Sequence, residues 1–105
     1  MHARVTRMSL KPGAATSMVD GARRYMAEDA KPAGFLGAVL LVAEDGAEAM
    51  SVTFWRDRAA LEASEAGGGY VQVMKPFEPL FRAPYVRTVM EVGSTTLLRD
   101  PGPKP

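Results

Sequence analysis

The residues best suited to chemistry in this chain of 105 residues are Trp55, Ser51 and Arg87. Trp55 is the only tryptophan. Its indole N–H is a donor with no acceptor capacity, suited to holding a ligand oxygen. Ser51 lies on the same extended stretch at an even spacing, so both side chains share one face of a strand. Its hydroxyl could hydrogen-bond a polar atom of a ligand. Arg87 could stabilise an anionic oxygen of a ligand. The simpler reading pairs it with Glu91, four residues on, because an unpaired buried charge is costly. A Glu91–Arg87 or Glu91–Arg7 pair at a subunit interface is therefore the structural expectation.

A second set is aromatic and sulfur-rich: Tyr25, Met26, Tyr70, Met74, Phe77 and Phe81. Methionine numbers 7 in the chain. Its flexible thioether fills irregular apolar cavities. These residues are expected to wall a substrate pocket, with the irregular stretch from Tyr70 to Phe81 as its cover. The plainer alternative is an ordinary core.

Other chemistries are excluded. With no cysteine there is no thiolate nucleophile, disulfide or thiolate zinc site. The single histidine, His2, is expected at a frayed, solvated N-terminus. Gly67-Gly68-Gly69 follows a helix and lacks the Gly-Lys-Ser/Thr of a phosphate loop. A formal charge of +1 gives no footprint for nucleic acid or anionic membrane. The longest apolar run, Ala38–Ala43, is far short of the ~20 residues of a membrane span. The N-terminus has no apolar signal core, so a cytoplasmic protein is expected.

These side chains need a scaffold, and the periodicity supplies one. Arg4–Leu10 alternates as a strand and stops at Lys11-Pro12-Gly13. Ala15, Met18, Val19, Ala22 and Met26 form one stripe of a helix over 14–29. Gly21 inside it costs about 1 kcal/mol relative to Ala, which points to close packing there. Phe35–Ala43 and Ala47–Trp55 are strands joined by a turn at Asp45-Gly46. Asp57 is a natural N-cap for a helix over Arg58–Ala66. Tyr70–Arg82 reads as a short helix and loop, and Pro84–Gly93 as the last strand. The Pro-rich residues 96–105 are expected to be a disordered tail to one domain over 1–95.

The order is strand, helix, strand, strand, helix, strand. It predicts an α+β, ferredoxin-like βαββαβ domain with a four-stranded antiparallel sheet and helices on one face. Phe35–Val42 is apolar at every position, so both faces of the sheet should be buried. A second copy of the chain is the simplest cover, and a homodimer is expected. Val5, Val89 and either Met50 or Thr53 would add to the open face.

Lys11-Pro12-Gly13, Gly34-Phe35-Leu36-Gly37 and Ser51-Val52-Thr53-Phe54-Trp55 resemble the antibiotic biosynthesis monooxygenase family, over Val5 to Gly93. The resemblance implies a homodimer whose sheets face each other as a dimeric α/β barrel. It also implies a pocket between sheet and helices for a small, planar aromatic molecule. Family monooxygenases oxidise phenols to quinones with dioxygen as co-substrate and no metal, flavin or haem, so no cofactor is expected. In the members acting on aromatic polyketides, an Asn lies four residues before the Trp and a Tyr six residues after it. Here those positions hold Ser51 and Leu61, which leaves open a non-catalytic ligand-binding homodimer of the same fold. Haem degradation, another branch of the superfamily, needs an axial His that Asp57–Ala66 lacks.

Overall fold

The structure is a computed structural model describing residues 1–28, 32–96, 99 and 101, without the side chains of residues 25–28. Four strands, β1 (His2–Ser9), β2 (Phe35–Val42), β3 (Glu48–Trp55) and β4 (Val86–Glu91), form one sheet in the order β2-β3-β1-β4. Each neighbouring pair is antiparallel. Helix α1 (Ala15–Glu28) follows β1, and α2 (Arg58–Glu65) and α3 (Gly69–Met74) follow β3. This is the ferredoxin-like arrangement. Of the expected tail over 96–105, most falls outside the described residues. No helix among the described residues is long and apolar enough to cross a membrane.

Local signals act where the residue types place them. The Asp57 carboxylate accepts the Ala60 N–H at 2.8 Å and caps α2. Gly67 and Gly68 take the left-handed backbone that ends α2 and lets the chain re-enter as α3. A six-residue 3₁₀ segment, Lys75–Leu80, continues from α3. Gly21 answers for its helix cost: a Cβ there would lie 2.7 Å from the Phe77 ring. Glycine lets that segment lie directly on α1.

Register sorts the side chains by face. Arg4, Thr6 and Met8 of β1 stand opposite Thr53, Ser51 and Ala49 of β3, all toward the helices. Met8, Leu10, Ala14, Met18, Ala49, Tyr70, Met74 and Phe81 form one buried cluster. Trp55, Ala60 and Leu61 form a second, with Phe35 and Val89 against it. The outer face carries rows such as Leu41, Met50, Arg7 and Val86, then Val39, Val52, Val5 and Thr88. It is predominantly apolar, and Leu41, Val86 and Met90 are about half exposed.

Several expectations change. His2 is a strand residue paired with Trp55 and Glu91, not a frayed end, because β1 begins two residues earlier than the alternation showed. Val89 lies opposite Arg4 on the helix side and so does not join the outer face. Arg7 and Arg87 lie on opposite faces, since they differ in parity across the β1–β4 ladder. The Glu91–Arg87 pairing gives way to Glu65, whose carboxylate accepts from Arg87 Nε and Nη2.

Leu61 is fully buried and Val71 half exposed. Leu61→Ala should lower unfolding free energy by about 2–5 kcal/mol. Val71→Ala should stay within about 0.5 kcal/mol. Urea unfolding followed by circular dichroism measures both.

Candidate functional site

A cavity of about 320 Å³ lies between the helix-side face of the sheet and the helices. Most of its wall is apolar: Met8, Met18, Ala22, Phe35, Ala38, Leu40, Trp55, Val73, Met74 and Phe77. One strip is polar. Arg4, Thr6, Ser51 and Thr53 reach it as two adjacent cross-strand pairs, Arg4 with Thr53 and Thr6 with Ser51. Strand alternation brings them together, because each is two residues from the next on its own strand.

Arg4 is the centre of this strip. Its guanidinium stacks 4.2 Å from the Tyr70 ring centroid and 5.5 Å from that of Trp55. Both lie within the range of a cation–π contact. Arg4 Nη1 donates to Ser64 Oγ at 3.1 Å and to Glu65 Oε2 at 3.3 Å. Glu65 also accepts from Arg87, through Nε at 2.7 Å and Nη2 at 2.6 Å. The Thr6 and Tyr70 hydroxyls share a buried hydrogen bond of 2.6 Å.

The electrostatics follow from this arrangement. Burial pushes the Tyr70 hydroxyl above the usual tyrosine range, against the opposing pull of Thr6 and Arg4. Tyr70 therefore stays a neutral phenol at physiological pH. Burial also pushes Glu65 upward, but the bonds and charges of Arg87 and Arg4 outweigh it and hold the carboxyl below its ordinary value. In return the Glu65 bond raises Arg87.

Of the residues expected at the site, Trp55, Ser51, Tyr70, Met74 and Phe77 line the cavity. Phe81 does not. It is buried beside Leu10, bridges to that residue and packs edge-on against Tyr85. The side chains of Tyr25 and Met26 lie outside the described residues. Arg87 is absent from the cavity wall, with its Nε and Nη2 donors on Glu65. The Trp55 indole N–H donates to Thr53 Oγ1 at 2.9 Å rather than standing open to a ligand. That bond leaves the Thr53 proton to donate elsewhere.

Sequence reasoning missed Arg4, Thr6, Thr53, Ser64 and Glu65. Parity contained a signal for the first: Arg4 shares a face with Met8 and Leu10, which must be buried. Nothing local marked Glu65, whose partners are on β1 and β4.

The family model described as antibiotic biosynthesis monooxygenase matches residues 1–76. The chain belongs to the antibiotic biosynthesis monooxygenase family. No curated protein matches it. Among solved structures, SnoaB of Streptomyces nogalater, described as a cofactor-independent oxygenase, is 20% identical with a TM-score of 0.70. That match covers 90% of this chain and 94% of SnoaB. The monooxygenase ActVA-Orf6 of Streptomyces coelicolor, solved with nanaomycin D, is 17% identical with a TM-score of 0.71. It covers 93% of this chain and 92% of the other. NE2512 of Nitrosomonas europaea, described as of unknown function, is 16% identical with a TM-score of 0.72 over 94% of this chain and 95% of its own. At these identities the likeness establishes the shared fold of the antibiotic biosynthesis monooxygenases.

The lowered Glu65 pKa sets a sign for acid stability. A carboxyl held below its ordinary value near 4.5 stabilises the fold above that pH. The contribution is lost as pH falls through the lower folded value. Wild type should lose urea resistance between about pH 6 and about pH 3, and Glu65→Gln should lose less over that range. Equal losses in the two proteins would contradict the assignment.

Proposed function

We propose that this antibiotic biosynthesis monooxygenase family member is a homodimeric, cofactor-independent monooxygenase acting on a small aromatic, phenol- or quinol-type substrate. The observation that carries the reading is the cavity itself: apolar and aromatic walls with a single strip of hydroxyls and one guanidinium. A planar ring fits the walls, and a phenolic oxygen fits the strip. The similarity to proteins described as a cofactor-independent oxygenase and as a monooxygenase bound to nanaomycin D supports the same substrate class.

The substrate supplies the electrons. A phenol, reacting as its phenolate, reduces dioxygen: one oxygen atom bonds to the ring carbon, and the other leaves as water with the phenolic proton and the proton of that ring carbon. Phenol and dioxygen thus balance with quinone and water. Ser51 and Thr53 hold the phenolic oxygen, and Trp55, Met74 and Phe77 shield the ring from water. Tyr70, kept protonated by burial, gives a proton to the reduced oxygen and recovers the substrate's phenolic proton through Thr6. Arg87 is a positioning residue that fixes Glu65 and thereby Arg4.

The dimer rests on the outer face. Leu41, Val86 and Met90 stand half exposed beside Val39, Val52 and Phe54. Large apolar side chains left in water forgo about 1.5–3 kcal/mol each. A two-fold pairing covers the same patch on both copies.

A second reading, a ligand-binding homodimer without turnover, is favoured by Ser51 and Leu61. Ser51 lacks the amide donors of the Asn found at that position in aromatic-polyketide enzymes, and Leu61 is buried beneath Trp55 without a hydroxyl.

Purified protein given a panel of quinols and anthrones should consume dioxygen above the protein-free rate. Tyr70→Phe should reduce kcat at least about a hundredfold on the best of them. A ligand-dependent change in Trp55 fluorescence with no uptake on any member would instead establish the binding reading. Light scattering tests the dimer: Leu41→Asp should yield a folded monomer, whereas Leu40→Asp, pointing at the helices, should unfold the domain.

A further inference from the structure

Resting on the cavity reading above, we infer that this pocket selects an aromatic monoanion and that Arg4 is the residue that selects it. The Arg4 side chain is 9% exposed. Its carboxylate partner among the described residues is shared: Glu65 lies 2.6–2.7 Å from two Arg87 nitrogens but 3.3 Å from Arg4. Arg4, Arg87 and Glu65 together carry one net positive charge. No Asp or Glu lines the cavity among the described residues. The excess charge therefore belongs to the cavity side, where Arg4 stands, while Arg87 is the more exposed of the two cations.

Burying a cation without full neutralisation is costly. The ring faces of Tyr70 and Trp55 offset part of that cost, and an entering anion offsets the rest. Thr53 is prepared for the same ligand. Its oxygen already accepts the Trp55 indole proton, so its own proton remains to donate to an anionic oxygen. Arg4 and Thr53 are directly opposed on neighbouring strands. Their donors can converge on one ligand oxygen group at the edge of a ring lying among the apolar walls. Neutral rings of the same shape fill the walls but leave the charge unmatched.

Isothermal titration calorimetry with 2-naphthoate and the isosteric neutral 2-naphthamide tests this. Wild type should prefer the carboxylate at least about tenfold, as a charge-assisted hydrogen bond implies. Arg4→Gln should abolish the preference while the amide still binds, and Arg4→Lys should keep part of it. Glu65→Gln provides a test that does not remove Arg4. Deleting the competing carboxylate should tighten naphthoate about fivefold and leave naphthamide unchanged. Equal binding of both probes by wild type, or weaker naphthoate binding by Glu65→Gln, would overturn the inference while leaving the aromatic cavity standing. Binding of neither probe would remove the cavity reading as well.

Discussion

The arrangement depends on one buried cation. Arg4 leaves an inner strand of the sheet toward the helix layer, where Tyr70, Ser64 and Glu65 of the helices and Trp55 of β3 close around it. A guanidinium suits this place because its plane stacks on aromatic faces while its edge still donates hydrogen bonds. These contacts tie β1 to the end of α2 and the start of α3. They require the chain to turn sharply between those helices, and the left-handed Gly67 and Gly68 supply the turn. Tyr70 then lies over β1 with its hydroxyl on Thr6. Without the cation, the aromatic stack and the carboxylate shared with β4 would lose their common partner.

The sheet divides its work by parity. Toward the helices, β1 and β3 present Arg4, Thr6, Ser51 and Thr53, and toward the other side Val5, Val52 and Phe54. A single antiparallel register therefore builds a polar strip on the helix side and a predominantly apolar surface on the other. A one-residue slip would exchange the two faces. Such a register is strongly specified, since the slip would put Arg4 in the apolar surface and Val5 in the cavity.

Much of the fold was legible in the sequence. Element order, the turn at Asp45-Gly46, the Asp57 cap and the two-sided apolar strand followed from local patterns, because each depends on residues close in sequence. The site was legible in part: Ser51 and Trp55 share a face by spacing alone, and Tyr70, Met74 and Phe77 belong to the aromatic and sulfur-rich set expected to wall a pocket. Arg4 was overlooked because a charged residue early in an alternating stretch resembles a solvated one until its face is known. Glu65 and Arg87 meet only after α3 and the 3₁₀ segment bring the chain back to the sheet edge. Phe81 was misplaced because an aromatic near a proline-rich stretch does not show whether it seals a cavity or fills a core. Here the bridge to Leu10 puts it in the core.

The most direct measurement is a crystal structure of the protein with 2-naphthoate. The account predicts the naphthalene ring among Trp55, Met74 and Phe77, and the carboxylate within hydrogen-bond distance of Arg4 and Thr53. A carboxylate facing solvent at the cavity mouth, or a cavity closed by repacked side chains with the ligand elsewhere, would contradict it.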